Sequence, residues 1–281
     1  MAKIGVSKAV LTFKGGQVAD AFYEWTKLTS DPYILSIIWG DKIEFTASPP
    51  TQHFANNATF SEQEKVIIRA EISKLLEKRV ITRSKTEDKE FVSPIFITPK
   101  SDGGHRLILN LKKLNEFIKY EHFKMDSIKE VLLLVTQGCY MCKVDLKDAY
   151  YSIKVDPRFQ KYLKCRLENI LYQFVCFPNG LAPCPRKFTK IMKVPLATLR
   201  SLGHIVSGYI DDFFTCAAQY KKCEQSAMQM KCLFSRLGLV IHPDKSILTP
   251  TQEIEFLGFM INSKEMTVEL TKKKNQFLKN Y

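Results

Sequence analysis

The sequence predicts an α+β fold built on an antiparallel sheet, and three observations carry that class. Strand-like and helix-like stretches are intermixed without the regular βαβ alternation that a parallel sheet requires. The strand-like runs are joined by short, hairpin-like connections, as where "KSDGG" links two β-rich runs between positions 92 and 116. With 45% hydrophobic and 25% charged residues over 281 positions, the chain has the balance of a folded protein, long enough for one large domain or two or three subdomains sharing a core.

Taken in order, residues 1 to about 60 mix aromatic and polar residues around "SPPTQ", whose paired prolines argue for an extended connector, and residues 1–55 read as an N-terminal extension. Ser61 and Glu64 stand in capping-box register ahead of Val66, Ile67, Ala70, Leu75 and Leu76, which predicts a helix over 62–78 whose role is packing. The stretch "YMCKVDLKDAYYSIKV" (140–155) reads as a second strand pair interrupted by Asp145 and Asp148. A helical pattern covers 186–202, the stretches "HIVSGYI" and "FFTCAA" read as strands, a helix is predicted from 219 to 237 ending at Gly238, and "ILTPTQEIEFLGFMI" supplies further strands.

Composition narrows the function classes. No apolar run approaches a membrane span and no secretory leader opens the chain, so an intracellular protein without a membrane partner is expected, its compartment unresolved. Cys139 and Cys142 form a lone C-x-x-C, which reads as two buried thiols rather than a metal site, and the "NAT" sequon at Asn57 carries little meaning in such a protein. A formal charge of +13, from 42 Lys+Arg against 29 Asp+Glu spread along the chain, favours a polyphosphate partner. The competing reading is a basic surface that serves solubility alone.

Against that basic background stand three carboxylates. Asp211 and Asp212 sit between two apolar strands, where a turn would accommodate them, and Asp145 closes the apolar run "YMCKVD". An uncompensated buried carboxylate costs several kcal/mol, so three at strand ends call for a shared cation. Carboxylate oxygens beside phosphate select Mg²⁺, and two such ions would activate a 3′-hydroxyl and stabilise leaving pyrophosphate; Mn²⁺ is the alternative ion.

Six segments, in order, resemble the motifs of reverse transcriptases. "YIDD" (209–212) resembles the Y-x-D-D motif and "VDLKDAYYSI" (144–153) its aspartate-bearing partner strand, 66 residues upstream. "KSDGGHRLILNLKKLN" is similar to the fingers hairpin, "FPNGLAPCP" to the P-x-G segment, "GLVIHPDKS" to the lysine-bearing loop and "FLGF" to the primer grip. The resemblance covers roughly residues 55–281, and "LTSDPYILSIIWGDKIEF" with "FLGFMINSKEMTVEL" points to the tyrosine-recombinase (DIRS-type) retrotransposon group. It implies right-hand fingers (56–119 and 153–186) and palm (120–152 and 187–263), the palm a ferredoxin-like antiparallel sheet backed by helices, and the start of a truncated thumb at 264–281.

The resemblance also implies roles. Asp145 and Asp211 would ligate both metals and Asp212 would be a weaker or outer ligand. Arg106 would clamp the triphosphate bidentately, with Lys100 beside it although the family's usual lysine lies nearer Pro99. Asp148 and Ala149 would offer backbone amides to phosphate, and Tyr150 would stack under the sugar and exclude a 2′-hydroxyl. Gly180 would let the backbone approach the template pair, while Asn179 stands where glutamine or phenylalanine is usual. Lys245 would protonate pyrophosphate, an exposed turn being its alternative. Phe256, Leu257 and Gly258 would form the primer-gripping hairpin, an ordinary aromatic–glycine strand pair being theirs.

The implied activity is RNA-directed DNA synthesis, with RNA template, DNA primer and deoxynucleoside triphosphates as partners and other retroelement domains in a longer polyprotein. Two alternatives stay open: a truncated fragment that only binds nucleic acid, and a templated polymerase of another palm family, against which an aromatic at Tyr150 and the motif order speak.

Overall fold

The computed structural model describes residues 13–55, 59–100, 103–125 and 127–271. The Asn57 sequon, Ser101 and Asp102 of the "KSDGG" loop, and most of the expected thumb start lie outside the described residues. Helices α1 (Phe22–Thr26), α2 (Pro32–Gly40) and α3 (Glu62–Glu77) precede strand β1 (Ile81–Ser84) and the strands β2 (Ile95–Pro99) and β3 (His105–Leu109). Short helices α4 (Lys112–Asn115) and α5 (Ile128–Leu132) lead to β4 (Tyr140–Asp145), then α6 (Pro157–Gln160), β5 (Lys164–Leu167) and β6 (Ile170–Phe174). The remainder is α7 (Cys184–Ser201), β7 (Ile205–Tyr209), β8 (Asp212–Ala217), α8 (Tyr220–Arg236), β9 (Ile247–Thr251), β10 (Glu253–Phe256), β11 (Phe259–Asn262) and β12 (Thr267–Leu270).

The strands form a four-stranded sheet in the order β7-β8-β4-β9, two three-stranded sheets (β1-β6-β5 and β10-β11-β12) and the β2-β3 hairpin, and every ladder is antiparallel. The α+β class read from the sequence therefore holds. Strand alternation gives the four-stranded sheet two unlike faces. Cys142, Val144, Phe213 and Thr215 point to α7 and α8, where Phe213 meets Phe234 at 4.8 Å between ring centroids. Met141, Phe214 and Cys216 turn the other way, against Ile254, Phe256 and Ile261 of the β10-β11-β12 sheet.

Local chemistry explains why the elements start where they do. The Ser61–Glu64 capping box is formed as the spacing predicted. Asp31 caps α2 by accepting from the Tyr33 amide at 2.8 Å, with Pro32 at the first helical position, a signal that went unused in the sequence reading. Gly238 follows α8 with φ 78°, the left-handed conformation that ends a helix.

One expectation is corrected. Residues 140–155 are not a strand pair: after β4 the chain turns at Asp148, whose φ is 52°, into a 3-10 turn at Tyr150–Ser152, because a left-handed residue cannot continue a pleated strand. Residues 13–45, within the segment read as an N-terminal extension, contribute to the core. Trp25, Ile37 and Ile38 are fully buried in it, the Trp25 indole donates to the Leu237 carbonyl at 3.1 Å, and Lys187 of α7 donates to both Asp41 carboxylate oxygens at 2.7 and 2.9 Å. The lone C-x-x-C behaves as expected: Cys139 and Cys142 are buried free thiols.

Candidate active site

The four-stranded sheet brings the three aspartates together. Asp145 ends β4 and stands directly opposite Asp212, the first residue of β8, in the antiparallel register, so their side chains share the face of the sheet that carries Phe214. Tyr209 pairs with Asp212, which makes Ile210 and Asp211 the two central residues of the β7–β8 turn. Asp212 is thus a strand residue and only Asp211 a turn residue. Ile210 holds a φ of 54°, a left-handed conformation disfavoured for a β-branched side chain and stored where it fixes the neighbouring carboxylate.

The backbone around these residues is pinned. The Leu146 amide donates to the Asp211 carbonyl at 2.8 Å, the Asp145 amide donates to Ser246 Oγ at 3.0 Å, and the His242 amide donates to the Asp145 carbonyl at 2.8 Å. The 242–246 loop therefore holds β4 from outside the sheet while the turn holds it from within.

Burial sets the electrostatics. Asp212 is pushed up to about 6 by desolvation, with the Asp211 and Asp145 charges adding to the shift. Desolvation likewise raises Asp211, where the Asp145 charge adds and its own backbone amide, Lys245 and Arg106 oppose. Asp145 is raised by desolvation against the opposing Lys245, His242 and Lys143. Burial outweighs the surrounding cations at each of the three, and repulsion from neighbouring carboxylates adds to it at Asp211 and Asp212. Among the described residues none of the three carboxylates has an ion-pair partner within 4.0 Å, and no three His, Cys, Asp or Glu side chains already converge as ligands on one point.

Beside the aspartates lies a cleft of about 430 Å³. Of the residues singled out in the sequence, Lys100, Arg106, Asp148, Ala149, Tyr150, Asn179, Asp211 and Lys245 line it. Lys100 and Arg106 come from the β2–β3 hairpin, where the Lys100 amide closes the loop on the Gly104 carbonyl at 2.8 Å. Tyr150 sits with its ring edge against Phe188 at 5.7 Å, and burial raises its hydroxyl. Asn179 donates to the Tyr151 hydroxyl at 3.1 Å, and Asp148 is ion-paired with Lys78 at 2.6 Å. Sequence reading missed Lys74, Lys78, Lys147 and His242, which also line the cleft. The i, i+4 spacing of Lys74 and Lys78 on α3 was the available signal for two of them, so α3 does more than pack.

Gly180 and the 256–258 segment stand apart from this lining. Gly180 has a φ of 95°, and a Cβ there would sit 3.3 Å from the Leu109 carbonyl, so the protein's own backbone already accounts for the glycine. Leu257 and Gly258, both at positive φ, are the two-residue turn between β10 and β11. Phe256 points away from solvent and packs on Phe214 with centroids 5.4 Å apart, so the hairpin offers its turn and not its aromatic ring.

Comparison with known proteins decides the family. Residues 98–261, more than half of the chain, match the family described as "Reverse transcriptase (RNA-dependent DNA polymerase)". The chain belongs to the reverse transcriptase family. Among curated relatives, the transposon Tf2-3 polyprotein of Schizosaccharomyces pombe (strain 972 / ATCC 24843) is 23% identical over 197 residues, covering 70% of this chain. This reverse transcriptase domain spans only 14% of that polyprotein's length. Among solved structures, native prototype foamy virus protease-reverse transcriptase aligns with a TM-score of 0.63 at 21% identity, over 80% of this chain and 29% of that one. The foamy viral protease-reverse transcriptase in complex with RNA/DNA hybrid aligns with a TM-score of 0.70 at 18% identity, over 96% of this chain and 38% of that one. The fold is that of a polymerase palm with fingers. Among the described residues no helix is long and apolar enough to cross a membrane.

Proposed function

We propose that this chain adds deoxynucleotides to a DNA primer on an RNA template, as the reverse transcriptase of a DIRS-type retrotransposon. The observation that carries the reading is that Asp211 lines a cleft together with Lys100, Arg106, Lys147 and Lys245, none of which has a carboxylate partner among the described residues, while Asp145 and Asp212 stand opposite each other on the adjoining strands without lining it. Acid and base are segregated by function: the carboxylates await a cation and the free cations await an anion. A nucleoside triphosphate with its divalent ions satisfies both.

The donor chemistry fits Mg²⁺, since all three side chains are partly desolvated carboxylates with raised proton affinities and a hard ion takes oxygen ligands, although the three do not converge on one point in this structure. Asp145 and Asp211 would hold two ions, with Asp212 as the weaker ligand. Bound there, the ions would supply activation of the primer 3′-hydroxyl and neutralisation of pyrophosphate. The chain's own groups do the rest. Arg106 clamps the triphosphate through its planar fork, and the Asp148 and Ala149 amides line its path. Tyr150 closes the floor under the sugar, and Lys245 delivers a proton to pyrophosphate. The fingers are assigned to 56–119 and 153–186 and the palm to 120–152 and 187–263, and the 256–258 turn grips the primer. The DIRS-type assignment rests on the two segments 28–45 and 256–270.

Primer extension on poly(rA)/oligo(dT) with Mg²⁺ and dTTP tests the reading, with Asp211→Asn beside it. Extension by the unmodified chain and loss in the variant, with duplex binding retained, is the expected result. Salt-sensitive duplex binding without extension by either would leave a nucleic-acid-binding protein in place of a polymerase.

A further inference from the structure

His242 was singled out by neither the motif nor its lysine, yet it lines the cleft beside Asp211 and Lys245. It sits three residues before Lys245, and its amide pins the Asp145 carbonyl, so its backbone position is fixed by the same ladder that fixes the catalytic strand. The neighbouring contacts tighten that ladder: Lys147 donates its amide to the Val240 carbonyl at 2.8 Å and Ser246 donates its amide to the His242 carbonyl at 3.1 Å. The ring lines the cleft together with Asp211 and Lys245.

What distinguishes it is the ring itself. Nδ1 is buried and has no hydrogen-bond partner among the described residues. A buried N–H without an acceptor is a rarer and costlier arrangement than a buried lone pair. A proton on Nε2 leaves Nδ1 as a buried lone pair, the cheaper of the two arrangements. The result is a donor on a short, backbone-fixed residue that lines a cleft whose Lys100, Arg106, Lys147 and Lys245 have no carboxylate partner among the described residues and so favour an anionic ligand.

We propose that His242 is a nucleotide-positioning residue, its Nε2–H donating a hydrogen bond to a phosphate oxygen of the incoming deoxynucleoside triphosphate. This rests on the reading of the cleft as a nucleotide site. A lysine reaches phosphate as a mobile point charge, whereas a histidine held by its own backbone fixes one oxygen in one place. Most of the affinity would come from the cations, while His242 would add one hydrogen bond that also sets the register.

The test measures dTTP binding directly, by equilibrium dialysis of labelled dTTP against the full chain with Mg²⁺ and a dideoxy-terminated oligo(dT) on poly(rA). Four proteins are compared: the unmodified chain, His242→Ala, His242→Gln and His242→Asn. Glutamine places its amide nitrogen near the Nε2 position and asparagine near Nδ1. His242→Ala is expected to weaken dTTP binding by about tenfold, the worth of one hydrogen bond to a charged group, with duplex affinity unchanged. His242→Gln is expected to restore most of the loss and His242→Asn little of it. Unchanged dTTP affinity in His242→Ala overturns the proposal while leaving the cleft a nucleotide site. So does a glutamine variant no better than alanine when both melt like the unmodified chain, or a parallel loss of duplex affinity, which marks a structural role. Absence of dTTP binding by the unmodified chain overturns the nucleotide-site reading itself and this inference with it.

Discussion

At the scale of single residues, the aspartates make a statement about pH. Asp212 is held at about 6 against an ordinary carboxylate value near 3.8, so the folded chain binds that proton more tightly than the unfolded chain does. The sign follows: the contribution to stability is fully present below about pH 4 and is lost as pH rises through about 6. Its size is roughly 3 kcal/mol as an upper bound, because the side chain keeps part of its hydration. Asp212→Asn removes the charge without changing shape. In EDTA the variant should melt about 3–6 °C above the unmodified chain at pH 7.5, with the difference shrinking as pH falls towards 4 and gone at about pH 3. Equal melting temperatures at both pH values would show that burial of Asp212 is not costly. Tyr150 makes a separate statement about selectivity, since its ring is wedged against Phe188 and cannot swing aside freely. Tyr150→Ala should narrow the preference for dTTP over UTP in primer extension, and an unchanged preference would remove Tyr150 from sugar selection.

At the scale of elements, α2 and α7 are joined by one buried ion pair. The side chains of Lys187 and Asp41 are 4% and 3% exposed, and Lys187 also donates to the Lys42 carbonyl at 3.0 Å. Removing one member strands the other charge, so Lys187→Ala should cost about 3–5 kcal/mol in urea unfolding, while Lys187→Met with Asp41→Leu should recover part of it. A loss under about 1 kcal/mol in the single variant would mean that water reaches the pair. Such a pair was invisible in the sequence, because its partners lie 146 positions apart and nothing local marks either. The elements that were legible carry their own local signature: the Ser61–Glu64 box, the alternation in 140–145, the paired β2 and β3 runs, the Gly238 stop. Those that were misread depend on context. Asp148 adopts a positive φ, with its side chain tied to Lys78 on α3, and no reading of "VDLKDAYY" as alternating residues reveals that. The site divides the same way. Asp211, Arg106, Tyr150 and Lys245, which line the cleft, were singled out from ordered motifs, whereas Lys74 and His242 reach it only because α3 and the 242–246 loop are folded against it.

For the whole molecule, the question is how far the working unit extends beyond the matched family segment, residues 98–261. The core gives an answer. A single buried cluster runs from Phe13, Val18, Trp25 and Ile38 through Ile68 and Phe91 to Phe188, Phe234 and Leu239, so residues 13–45 share one interior with α7 and α8. The backbone is stitched accordingly: Gly15 donates its amide to the Lys78 carbonyl at 2.7 Å and Gly16 to the Tyr151 carbonyl at 2.8 Å, beside the cleft at both points. Trp25, Ile34, Ile37, Ile38 and Ile43 are each at most 5% exposed, and stripping away their surface would expose the apolar flank of α7 and the end of α8. Burial of side chains this size is worth about 1.5–3 kcal/mol each, so together they rival the whole stability of a domain. A chain beginning at residue 46 is therefore expected to lose cooperative melting and near-ultraviolet circular dichroism, although it retains every residue of the proposed active site. Cooperative unfolding of that shortened chain, with dTTP binding intact, would show instead that the segment rides on a core that is complete without it.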